Sequence, residues 1–130
     1  MKESKLSSEN FECELIDRHI IYIFIKDFME LEKDDILVMQ SWLSKQTKEK
    51  RIFNLIQFGN GSSASREARE YAASPEGNKN THGSALIVKN LAQQLIIDYY
   101  LKFNNPIKPT RSFYKKDKAI SWIKDQLSKK

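Results

Sequence analysis

A single cysteine in 130 residues, Cys13, excludes a disulfide framework and any cysteine-rich zinc or iron–sulfur centre. The two histidines, His19 and His82, have no Cys, Asp or Glu at metal-ligand spacing on the strand segments that carry them, so no metal or cofactor is expected. Three prolines and four glycines, beside 11% aromatic residues, are not the composition of a disordered chain. Long apolar runs are missing too. The amino terminus is polar, with no signal-peptide core. The richest stretch, Leu91 to Phe103, is interrupted by Gln93, Gln94, Asp98 and Lys102, short of a membrane span. A cytoplasmic protein is expected, with residues 1–10 a flexible leader and 11–130 one domain.

The charge is modest and uneven. The net value is +5, but residues 1–65 carry 9 basic and 11 acidic side chains against 13 and 6 in residues 66–130. The basic surplus ends in Lys115, Lys116, Lys118, Lys124, Lys129 and Lys130, with almost no arginine or aromatic residue interleaved. That pattern fits a solvated terminal helix and argues against nucleic acid as a partner. Cys13 lies between Glu12 and Glu14, carboxylates that raise a thiol pKa, so a buried strand cysteine is expected rather than a nucleophile.

Periodicity orders the rest. Phe11–Asp17 alternates apolar and polar, and His19–Ile25 is a β-branched run buried on both sides; together they predict a hairpin. A helix follows from Glu30 to about Gln46, then a strand at Ile52–Phe58, broken by Gly59-Asn60-Gly61-Ser62-Ser63. Ser65–Ala73 is a short helix of good formers and His82–Lys89 a strand. Asn90 is placed to cap the helix Leu91–Phe103, and Thr110–Tyr114 and Lys116–Leu127 supply a last strand and an amphipathic helix. The order β-β-α-β-α-β-α-β-α predicts an α/β domain with a mainly parallel five-stranded sheet, an antiparallel edge hairpin and four helices.

This element order resembles the STAS superfamily, and within it the SpoIIAA-like branch named for the anti-sigma-factor antagonists. The residues that carry the likeness lie between about 11 and 128: the loop after IFNLIQF leading into SREAREYAA, the stretch HGSALIVKNLAQQLIIDYYLKFNNPIKPTRSF, and the closing AISWIKDQL. They are similar to uncharacterised SpoIIAA-like proteins of bacteria. The resemblance implies a non-enzymatic regulatory or protein-interaction module. In that family a serine beside an aspartate, where the third strand meets its helix, is phosphorylated and switches partner binding. Here Gly61 precedes Ser62 and the aspartate is missing, so serines serving as turn and cap residues are favoured over the switch.

Candidate recognition residues are Ser62, Ser63, Ser65, Arg66 and Arg69. The glycines free backbone N–H groups beside a helix start, an arrangement suited to an anion, although neither a P-loop nor GxGxxG is matched. No GxSxG elbow surrounds any serine, and no nucleophile, base and oxyanion donors assemble, so an enzyme is not expected. Leu91/Leu95/Tyr99 and Ala92/Ile96/Tyr100 are expected to face the core, which leaves Ile97 and Leu101, with Tyr100, as apparent excess. That excess reads as a homodimer contact, a partner groove, the wall of a lipid pocket, or a surface covered by residues 106–108 and the closing helix. A chain of 130 residues leaves little volume for an acyl cavity. The alternative function is a small anionic-ligand or lipid-binding protein using the 59–69 loop and the 91–103 helix.

Overall fold

The computed structural model describes residues 5–129. Its elements are β1 (Lys5–Ser7), β2 (Phe11–Asp17), β3 (Ile20–Ile25), β4 (Glu30–Leu31), α1 (Lys33–Gln46), β5 (Phe53–Phe58), β6 (Ser63–Ala64), α2 (Arg66–Ala73), β7 (Gly83–Ile87), α3 (Leu91–Phe103), β8 (Thr110–Phe113) and α4 (Lys116–Ser128). The main sheet runs β1-β2-β3-β5-β7-β8. β3, β5, β7 and β8 are parallel neighbours, and β1 and β2 add antiparallel strands at one edge.

Six strands form where five were expected. The extra one comes from the stretch read as a leader: Lys5–Ser7 pairs with β2, Leu6 opposite Cys13, and the half-buried Leu6 packs on the core. One apolar residue in three gives no period to detect, so only the pairing reveals the strand. The helix expected from Glu30 starts later for a related reason. Glu30 and Leu31 form a two-residue parallel ladder with Ser63 and Ala64, and α1 begins after them. Asp35 holds that start, accepting from the Glu32 N–H at 2.8 Å and from Asn10 Nδ2 at 3.0 Å.

Strand order follows chain order without reversal. Each right-handed crossover therefore steps in one direction and leaves its helix on the same face of the sheet. α1 covers β2 and β3 there, through Met39 and Leu43 against Phe11, Cys13, Ile21, Ile23 and Ile25. α3 covers β7 through Ile97 against Leu86 and Val88. Among the described residues the opposite face is closed by α4 alone, whose Ala119 and Ile123 pack on Phe53, Leu55, Ala85 and Ile87. Trp122 adds edge-on contact with Phe53 at 6.1 Å between ring centres.

Candidate functional site

Between α1 and α3, the central strand β5 is roofed by α2, which is short and rich in alanine. Its neighbours project Met39, Leu43 and Ile97, whereas α2 offers Ala68 and Ala72. Alanine favours the helix but supplies one methyl of volume, so the space above Asn54, Ile56 and Phe58 is left open. The result is a cavity of about 380 Å³, within the range of small-molecule sites. The sequence-based expectation that a chain of this length leaves little volume for an acyl cavity is thereby corrected. The missing volume was encoded in SREAREYAA, where alanine reads as helix propensity and not as a void.

The walls are mostly apolar: Ile21, Ile23, Ile56, Leu86 and Ile97 among them. One end, at the amino ends of the strands, is polar but uncharged. Asn54, Ser84 and Thr110 stand in register across β5, β7 and β8, and Asn54 Nδ2 donates to Ser84 Oγ at 3.1 Å. At the other end, by the carboxyl ends of β3 and β5, lie Ser62, Ser63, Arg69 and Gln93. Arg69 Nη1 donates to the Ala64 carbonyl at 2.5 Å, which fixes the guanidinium against the β6–α2 junction. Tyr100 also lines the cavity, and burial pushes its phenol up to about 12, so the hydroxyl stays neutral.

The expected recognition residues divide. Ser62, Ser63 and Arg69 border the cavity; Ser65 and Arg66 do not. Ser65 caps α2, its Oγ accepting from the Ala68 N–H at 3.1 Å. Arg66 is exposed and pairs with Glu70 at 3.2 Å. The glycine loop offers little to an anion, because its amides are spent on the strand ends beside it. Gly59 N–H donates to the Ile25 carbonyl, Asn60 to Asp27 Oδ1, Ser63 to Met29 and Ser65 to Leu31. Phe28 lies on top of this loop, 79% exposed and at φ 62°, its ring over Gly61. Sequence patterning gave no signal for Phe28, since a positive φ at a non-glycine residue leaves no composition mark.

Helix α3 is rotated relative to the expectation. Ile97 is 6% exposed, and Leu101 packs beside it on the Leu86–Val88 core, so both belong to the interior. Tyr100 is half-buried at the cavity wall. The residues left in solvent include four expected inside, Leu91, Leu95, Ile96 and Tyr99, and Phe103 beyond them, each more than half exposed. Gln94, read as an interruption, explains the rotation, because it reaches inward and donates to Ser112 Oγ at 2.9 Å on β8.

The remaining candidates lie elsewhere. Cys13 is buried in β2, and burial together with Glu14 pushes its thiol up to about 12. His19 Nδ1 contacts the Arg51 carbonyl at 2.8 Å. His82 Nδ1 is buried with no hydrogen-bond partner among the described residues, and burial, then Lys108 and Arg51, lower its pKa. Neither histidine lines the cavity. Among the described residues, no group of three or more His, Cys, Asp or Glu is placed to hold a metal, and no helix is long and apolar enough to cross a membrane.

A sequential sheet with three crossover helices on one face and a fourth on the other is the SpoIIAA-like α/β fold. A solved structure with that fold, an uncharacterised protein of the DUF3478 family from Shewanella loihica PV-4, superposes with a TM-score of 0.56. It is 18% identical, and the match covers 91% of this chain and 98% of that one. Residues 14–127 match the family model described as Domain of unknown function (DUF7793), and the chain belongs to that family. No curated protein matches the sequence.

Proposed function

We propose that this chain is a non-enzymatic STAS-like binding module that holds a small, largely apolar molecule between its sheet and the α1–α2–α3 layer. The observation that carries the reading is the cavity of about 380 Å³ above β5, apolar along its walls and polar at both ends. It joins the 59–69 segment to α3, the two regions singled out in the sequence as a ligand-binding pair. Titration with 1-naphthalenemethanol, an uncharged fluorophore, is expected to saturate at one molecule per chain. Ala68→Leu, which fills the cavity, is expected to weaken that binding at least ten-fold. Absence of saturable binding, or binding indifferent to Ala68→Leu, refutes the proposal.

A protein-contact role is favoured by a second observation, the exposed stripe Leu91, Leu95, Tyr99 and Phe103 on α3. Asp98 and Lys102, both exposed, sit one turn apart on the same helix, so an antiparallel second copy would set each against its opposite charge. A homodimer built this way is expected to dissociate on Tyr99→Glu in light scattering. A wild-type chain that is monomeric at high concentration ends this reading. A regulatory process and a separate protein partner belong to the same proposal, with Ser62 and Ser63 at the rim as the natural place for a partner to sense occupancy.

A further inference from the structure

Charge discriminates among the molecules that the cavity could take. Among the described residues that line it, Arg69 alone carries a charge at neutral pH, and no carboxylate is among them. Arg69 forms no ion pair among the described residues, in contrast with Arg66, which is satisfied by Glu70. It is half-buried, and its anchored Nη1 leaves the rest of a five-donor fork for a ligand. A planar guanidinium in a partly desolvated rim recognises a carboxylate through paired N–H donors. A cationic head would meet Arg69 with no counter-charge in the lining. A phosphate dianion would meet the single positive charge of Arg69 and keep one negative charge uncompensated in the lining.

Shape limits the body of the ligand. From Asn54 to Phe58 the floor runs along β5 for roughly 13 Å at the rise of an extended strand. At ~30 Å³ for each water-sized group, the volume holds on the order of a dozen such groups. We propose that the occupant is a monoanionic carboxylic acid with an unbranched or compact apolar body of this size, the class of the medium-chain fatty acids, its carboxylate held by Arg69. This rests on the reading of the cavity as a ligand site and adds the identity of the headgroup.

The test compares decanoate with decan-1-ol by calorimetry on the full chain at a pH where the acid is ionised. Decanoate is expected to bind one per chain and at least ten-fold more tightly than the alcohol. Arg69→Gln is expected to remove that preference by weakening decanoate, leaving the alcohol unchanged, and Arg69→Lys to restore part of it. Equal affinity of wild type for the two compounds, which needs no variant, overturns the carboxylate assignment while the cavity reading survives. So does a preference that persists in Arg69→Gln. If neither compound binds, the cavity reading fails and the assignment with it.

Discussion

Replacing Ala68 by leucine distinguishes an open space above β5 from a filled core by the sign of one number. Ala68 is 1% exposed on α2 and faces the cavity, so added carbons leave water as the chain folds. Leucine brings three more carbons, and at about 0.8 kcal/mol per buried methylene the transfer gain is about 2.4 kcal/mol. Ordering the longer side chain costs about 0.5–1 kcal/mol, and the change in helix propensity is small. The net expectation is a stabilisation of about 1.5 kcal/mol, or about 5 °C in Tm for a chain of this length. In a core already packed to normal density the same substitution destabilises by about 1–3 kcal/mol. Urea unfolding followed by circular dichroism measures the difference directly. The midpoint should rise at unchanged slope. A fall in midpoint means that the space is filled, and the reasoning from alanine-rich α2 to an open site is refuted.

Three further outcomes follow from the local geometry. Gly61 sits at φ 64°, with the Phe28 ring 2.6 Å from where a Cβ would be, so Gly61→Ala should cost about 1–2 kcal/mol in urea unfolding; a neutral change would contradict that packing. Cys13, buried and with its thiol pushed up to about 12, should resist alkylation at mildly alkaline pH until urea opens the fold, and labelling as fast as that of free cysteine would show the strand to be accessible. His82 has a folded-state pKa below its usual 6.5, so the unfolded chain takes up the proton more readily and stability falls as pH drops through about 6.5. The wild-type midpoint should therefore fall more steeply from roughly pH 7 to 5 than that of His82→Gln, and parallel curves would remove His82 as the cause.

Much of the fold was legible because its signals are periodic. The hairpin, the three parallel strands after it and all four helices lie within a few residues of where alternation and capping residues place them, Asn90 included, its side chain accepting from the Gln93 N–H at 2.9 Å. The short elements β1, β4 and β6 were not legible, since two or three residues carry no period and exist only as partners. The site was legible in part. Ser62, Ser63, Arg69 and Tyr100 were singled out and do meet at the cavity, but for a different reason from the one expected. The loop amides that suggested an anion cradle are consumed by neighbouring strand ends, and the side chain of Arg69, one turn into α2, carries the charge instead. Helix α3 misled because both of its faces are apolar. Only Gln94 and Gln93, which find partners on β8 and the Gly59 carbonyl, show which side turns inward.

The strictly sequential order of the parallel strands also bears on how the chain folds. Paired residues in that part of the sheet are 33 positions apart from β3 to β5, as in Ile23 with Ile56, and 26 apart from β7 to β8, as in Ala85 with Arg111. Each new strand docks on the one made just before it, so no early strand waits with an unfilled gap for a late arrival. The loop that must close at each step is short and already half-organised by its own helix, which keeps the entropic toll per step nearly constant. A parallel sheet, ordinarily among the slower architectures to assemble, is here reached by repeating one modest closure three times.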